Sequence, residues 1–352
     1  MRIGIIAPPW LTVPPVAYGG TEAVIDVLAR GLAALGHEVL LAAAAGSSCP
    51  VPQVPGTLGP DPGHVGRVQD ELRHVLGAYG QLEQMDLIHD HTMAGPLLQA
   101  AAGGPPVVST AHNRMDAHTL PVYRGISARA RLLAVSHHQA RTATGAAVAG
   151  VIHHGIDAAG IPVGTGSGGY ACFLGRMHHN KGVLTAIRVA RRAGVPLLIA
   201  AKMQSAGEHA YFREVIEPEL GAGIEYVGEV GQEEKYLLLG GALALLNPIQ
   251  WSEPFGMVMI EAMATGTPVV STSRGSAPEI VQDGATGFIR DTTTGLAAAL
   301  GQCSTLDRAA ARRSTETRFS AERMVREHVD MYQRSLGDRP APDIVPAQAG
   351  TP

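Results

Sequence analysis

Lysine is almost missing from this sequence. Its 352 residues include only Lys181, Lys202 and Lys235, so arginine supplies nearly all of the 27 basic side chains. These face 31 acidic ones, a formal net charge of −4, and the part before Gly155 is as balanced as the rest. Such a balance argues against a broad cationic face for nucleic acid or an anionic membrane surface. Cysteine is scarce too. Cys49, Cys172 and Cys303, three in number and well separated, show neither a disulfide framework nor metal-ligand spacing, which suits a reducing cytoplasm. Aromatic residues make up 4%, so stacking surfaces are not a theme. No apolar run reaches membrane-spanning length, and residues 3–7, which run into Pro8-Pro9, are too short for a signal-peptide core. The expectation is a cytoplasmic protein of about two domains, given roughly 100–200 residues per domain.

What the sequence does have is glycine, 43 of them, and a regular alternation of short apolar runs with helical patterns. Residues 3–7, 39–43, 87–89, 107–110, 132–135 and 151–153 read as buried strands. The rhythm repeats at 170–174, 197–200, 224–227, 242–246 and 269–271. Strands alternating with helices imply βαβ units and parallel sheets. There are too many strands for one compact sheet, so the fold class is α/β with two Rossmann-like, doubly wound domains facing across a cleft. The first covers residues 1–157 and the second 170–319, joined by a linker at 158–169. Gly164-Thr-Gly166-Ser-Gly168-Gly169 in that linker matches a dinucleotide-loop spacing. It precedes a strand, however, whereas the motif's mechanism needs a helix N-terminus after the strand, so it reads as a flexible linker. Residues 320–336 form an amphipathic helix closed by Gly337, expected to pack back on the first domain. The proline-rich tail 338–352 reads as disordered.

Three segments carry chemistry. In Trp251-Ser-Glu253-Pro-Phe255-Gly256-Met257, a strand leads into a helix beginning near Phe255–Gly256. Freed amides there can bind an anion or sugar hydroxyls, and Gly256 permits close approach. Glu261 lies inside that helix among Met257, Ile260, Ala262 and Met263, and a buried carboxylate needs a partner. The plainer reading is a structural Glu satisfied by backbone or by an arginine. The second segment, Gly175-Arg176-Met-His-His-Asn180-Lys181-Gly182, also follows a strand and opens a helix. Two cations beside a helix start oppose the helix dipole, unless a diphosphate sits between them. The third, Tyr18-Gly19-Gly20-Thr21-Glu22, opens the first helix with bare amides and Thr21 as a cap.

Together these segments resemble the GT-B fold of family 4 retaining glycosyltransferases, from Met1 to about Leu336. The resemblance rests on Gly19-Gly20, Gly175-Arg176…Lys181-Gly182 and the Glu253…Glu261 pair at E-x7-E spacing. It implies that Arg176 and Lys181 hold the donor diphosphate and that Glu253 contacts hydroxyls of the transferred sugar. Glu261 would then grip the ribose. Amides of Gly256 and Met257, beside Phe255, would meet sugar or phosphate, while the Gly20 amide closes from the first domain. His112, after the fourth strand, would lie beside the reacting sugar, and the base against Val227, Gly228, Glu229 and Val230. The second domain would hold the donor and the first the acceptor, with closure excluding water. One departure is that the family's Asn-Gly-Ile/Val-Asp appears here as His154-Gly155-Ile156-Asp157.

No two aspartates stand two apart, so the Asp-x-Asp handle for a divalent ion is missing, and cations with helix amides can neutralise the leaving diphosphate instead. No cofactor or metal is expected. The His pairs 137/138, 153/154 and 178/179, and His89-x-His91, have no carboxylate or cysteine at ligand spacing. His89 is expected to pack within its strand and His91 to face the cleft. The implied function is transfer of a sugar from a nucleoside diphosphate, UDP first, to a soluble acceptor. The Arg-, Ala- and Gly-rich, Lys-poor composition suggests a GC-rich bacterium such as an actinomycete, and for a family member there the expected acceptor is a small molecule such as an oligosaccharide antibiotic of the orthosomycin type. The alternatives are a sugar-nucleotide epimerase or a non-catalytic nucleotide-binding protein. A glycan phosphorylase lacks a segment suggesting a pyridoxal-phosphate lysine, and a nicotinamide dehydrogenase would need the 164–169 run to be a true dinucleotide loop.

Overall fold

The computed structural model describes residues 1–54, 58–98 and 104–337, so the 338–352 tail lies outside the described residues. The first domain holds β1 (Arg2–Ile6), β2 (Glu38–Ala42), β3 (Leu87–Asp90), β4 (Val107–Ala111), β5 (Arg131–Ala134) and β6 (Val148–Val151). They form one parallel sheet in the order β2-β1-β3-β4-β5-β6. The second domain holds β7 (Ala171–Arg176), β8 (Leu197–Lys202), β9 (Ile224–Gly228), β10 (Ala244–Asn247), β11 (Val269–Ser271) and β12 (Gly287–Ile289). Its parallel order is β12-β11-β10-β7-β8-β9. Most central strands are buried on both faces, which is why they read as continuous apolar runs.

Two elements differ from the sequence reading. β6 lies three residues earlier than expected, because its half-exposed Val-Ala-Gly-Val has no apolar run to mark it. β12 was not anticipated. It is three residues long and begins at Gly287, where a Cβ would fall 1.9 Å from the Val269 carbonyl oxygen of β11.

The chain crosses between domains twice, and the crossings run side by side. Ile156 N donates to the Phe319 carbonyl at 2.9 Å, and Ala321 N to the Ile156 carbonyl at 3.0 Å. The helix Ala321–Gly337 then lies on the first domain against the helix Gly20–Ala34, adding Met324, Val325, Met331 and Tyr332 to the core around Ile3 and Leu28. The connecting run 164–169 is not a flexible linker. Amides of Gly164, Gly166 and Gly168 donate to the carbonyls of Thr265, Gly240 and Gly241 at 2.9 Å each, and the Arg308 guanidinium binds the Gly164, Gly240 and Ala242 carbonyls. A Cβ on Gly164 would lie 2.1 Å from the Gly240 oxygen, so glycine is there for backbone contact and not for a dinucleotide. The three cysteines are free and buried, and no helix among the described residues is long and apolar enough to cross a membrane.

Gly155 sits at the double crossing, where a Cβ would meet the Ser320 carbonyl oxygen at 2.4 Å. Backbone cannot yield there as a side chain would. Gly155→Ala is therefore expected to cost about 1–3 kcal/mol, as overpacking does, read as a lower urea midpoint at unchanged slope.

Candidate active site

The strand order of the second sheet decides where a ligand can sit. β7 and β10 are neighbours, and the order runs outward from them in opposite senses. Loops leaving the carboxyl ends of such strands frame a crevice. The loop after β7 carries Lys181, and the loop after β10 carries Glu253. Gln250 N donates to the Asn180 carbonyl at 2.8 Å, which joins the two loops. Gly182 makes this possible: its φ is 80°, and a Cβ would lie 2.0 Å from the Pro248 oxygen. Gly275 does the same from the other side, where a Cβ would fall 2.3 Å from the Glu253 carbonyl oxygen.

Within this frame Lys181 Nζ donates to Glu253 Oε2 at 2.6 Å, and Trp251 Nε1 donates to the same oxygen at 2.7 Å. Burial alone would lower the Lys181 pKa, but the Glu253 carboxylate opposes this and the net effect is a rise. The helix starts at Met257 rather than Phe255, with Gly256 as its N-cap at a φ of 85°. Glu261 is satisfied neither by backbone nor by arginine. Lys235 Nζ donates to its Oε1 at 2.7 Å, and both side chains stay below one-fifth exposed.

The first domain reaches this site through residues 15–20. Lys202 Nζ, at the end of β8, donates to the Tyr18 carbonyl at 2.9 Å, and Tyr18 N donates to Glu229 Oε1 at 3.3 Å. The Tyr18 ring is near enough to Lys181, Glu253 and Glu261 to feel their charges. Burial raises its phenol pKa most. Gly19 is the N-cap of the helix Gly20–Ala34, and Thr21 makes no capping bond. A Cβ on Gly20 would stand 3.5 Å from Met257 Cγ, which puts the two helix starts face to face.

Gly19, Gly20, His112, Lys181, Val230, Glu253, Phe255, Gly256, Met257 and Glu261 all line one cleft. Arg176, Val227 and Gly228 do not. The Arg176 guanidinium turns to Glu208 at 2.5 Å, because Glu208 is fixed as the partner of a capping box with Ser205 and accepts the Gln204 and Ser205 amides. Val227 and Gly228 stand at the outer end of β9, and only Glu229 and Val230 beyond them turn inward. Sequence reasoning missed Tyr18, Lys202 and Lys235. A signal was present, since every lysine of the chain lines this cleft.

The histidines form two groups. His91 does not face the cleft: it is buried, and its Nδ1 lies 2.8 Å from Nε2 of His112. His154, standing where the family pattern has asparagine, stacks on His112 at 5.5 Å and touches Phe255 of the second domain at 5.0 Å. Burial, with the charge of His328 second, lowers the His112 pKa to about 4. The second group corrects the reading that no carboxylate stands near the His pairs. Glu279 joins His137 and His153 with ligand-type atoms within 4.8 Å of one another. Its carboxylate accepts the His137 and His138 amides at 2.8 and 2.5 Å and His153 Nε2 at 2.9 Å, a clasp between the domains.

Two Rossmann-like domains, with a cation-lined crevice on the second closed by a helix start of the first, define a GT-B protein. The family model described as Glycosyl transferases group 1 matches residues 166–318, and that described as Glycosyltransferase Family 4 matches residues 18–159. The chain belongs to this family of glycosyltransferases. D-inositol 3-phosphate glycosyltransferase of Nocardioides sp. is 33% identical over 34% of this chain and 27% of its own, so the match spans about a quarter of that relative. Phosphatidyl-myo-inositol mannosyltransferase of Mycolicibacterium smegmatis is 28% identical over 85% of this chain and 84% of its own. The crystal structure of AviGT4, a glycosyltransferase involved in avilamycin A biosynthesis, has a TM-score of 0.71 at 26% identity, covering 96% of this chain and 98% of that one.

Lys235→Met leaves Glu261 without its counter-charge and is expected to destabilise the fold by about 3 kcal/mol, the scale for breaking a buried pair. The double variant Lys235→Met/Glu261→Gln should recover most of that in denaturant titration. Glu22, at the start of the first helix, has its pKa raised to about 6 by burial. A raised carboxylate pKa means stability present below the unfolded value of 4.5 and lost as pH rises through about 6. Glu22→Gln should therefore gain about 2 kcal/mol above that range and flatten the acid side of the stability profile.

Proposed function

We propose that this chain transfers a glycosyl group, with retention of anomeric configuration and without a metal ion, from a nucleoside diphosphate sugar to the hydroxyl of a soluble acceptor. The observation that carries this reading is the convergence of all three lysines with Glu253 and Glu261 on one cleft, between two opposed helix starts.

Lys181 and Lys202, with the free amides after Gly19 and Gly256, supply positive potential where the diphosphate leaves. Lys202 takes the place the sequence reading gave to Arg176, whose charge is engaged by Glu208. Glu253, oriented by Lys181 and Trp251, presents its remaining acceptor capacity to sugar hydroxyls. Glu261, held by Lys235, does the same for the ribose. The base rests against Glu229 and Val230, and the diphosphate oxygen that is freed takes the acceptor proton on the same face. His112 stands on the acceptor side. UDP is the donor nucleotide that the resemblance implies. AviGT4, matched over nearly the whole chain, favours an antibiotic-like oligosaccharide as acceptor.

Lys181→Ala and Glu253→Ala are expected to lower turnover by about a hundredfold or more, whereas Arg176→Ala should cost far less. Mass spectrometry with a panel of sugar nucleotides and acceptors checks this, including after chelation, and NMR of the product checks the anomer. Near-wild-type turnover in Lys181→Ala and Glu253→Ala would overturn the assignment. So would conversion of the donor without any acceptor, which marks an epimerase.

A further inference from the structure

We infer that His91 is a positioning residue that sets the tautomer of His112, so that His112 meets the cleft as an N–H donor and not as a base. This rests on His112 belonging to the proposed site. The two residues stand just past the carboxyl ends of adjacent strands, β3 and β4. His91 continues the ladder, its amide donating to the Ile6 carbonyl at 2.9 Å, so its ring has a fixed origin. His91 Nδ1 and His112 Nε2 are 2.8 Å apart, and one of these nitrogens must carry the shared proton.

The other nitrogen of His91 decides which. His91 Nε2 is buried and has no hydrogen-bond partner among the described residues. A protonated Nε2 would be an orphaned buried N–H, which proteins tolerate less readily than an acceptor left without a donor. Protonating both nitrogens would place a cation at ring contact with His89, 4.0 Å away, and near His112, His154 and His328, with no carboxylate in the cluster to balance it. The proton therefore sits on His91 Nδ1 and is donated to His112 Nε2. A neutral His112 must then be protonated at Nδ1. That atom makes no hydrogen bond among the described residues and is not sealed off, on a ring that lines the cleft. His89 cannot impose such a choice: its nitrogens meet the Tyr332 and Thr110 hydroxyls at 2.7 and 2.8 Å, and a hydroxyl can give or accept. His154, stacked on His112, holds the plane of the ring without touching its protonation.

The structure thus assigns His112 the task of donating to an oxygen of the sugar or acceptor. Long-range proton–nitrogen NMR of the 15N-histidine-labelled full chain, without substrate, tests this directly. His112 is expected as the Nδ1–H form, and His91→Phe should shift it to an exchanging mixture. His91→Asn, whose amide can still donate, should keep the wild-type pattern. In kinetics His91→Phe should lower kcat about tenfold, the scale of one hydrogen bond, leave KM for the donor nearly unchanged, and add little in an His112→Phe background. A wild-type His112 protonated at Nε2, or a His112 spectrum unmoved by His91→Phe, would overturn the inference. The NMR result needs no turnover, so it stands or falls apart from the glycosyl-transfer reading.

Discussion

The Lys181–Glu253 ion pair depends on one feature of sheet topology and in turn organises the site. β7 and β10 lie side by side although Lys181 and Glu253, carried on the loops that follow them, are 72 residues apart in the chain, and their adjacency where strand order reverses brings a cation from one loop against a carboxylate from the other. The pair shares a hydrogen bond from Trp251, so the carboxylate is held from two sides. Neither charge would be stable there alone at about one-seventh exposure, and each accounts for the other's presence.

Two further contacts between the domains work on the same site. The Tyr18 segment is bound to the second domain through Lys202 and Glu229, so the helix start at Gly20 is delivered opposite Met257. The Glu279 carboxylate binds the first domain by two amides and His153. With the paired crossings at Ile156 and Phe319, these contacts hold the cleft in the arrangement described. Apolar contacts join them, with Met257 packed against the first domain's core and Val135 and Tyr18 against the second's. The buried imidazoles carry this logic into the first domain, from Tyr332 on the last helix through His89 and His91 to His112 at the cleft.

Much of this was legible from residue order alone. Apolar runs at strand length marked ten of the twelve strands, reaching β6 only at its last residue, and the E-x7-E segment with the Gly-Arg…Lys-Gly loop marked the crevice of the second domain, because local backbone geometry needs glycine at those turns. β12 escaped because three residues led by glycine carry no pattern. The lysine scarcity was visible as composition, yet only Lys181 was singled out, since Lys202 and Lys235 sit in no motif.

The sequence by itself determined two parallel α/β domains and the family-like loops, because periodicity and turn chemistry act over a few residues. Tertiary structure decided which charges meet. Arg176 pairs with Glu208, Glu261 with Lys235, Lys202 with the Tyr18 carbonyl, and His91 with His112. These partners stand 21 to 184 residues apart, and no local signal encodes a pairing made only when strand order and domain packing place two groups within 3 Å. The site's residue types belong to the sequence; its electrostatics belong to the fold.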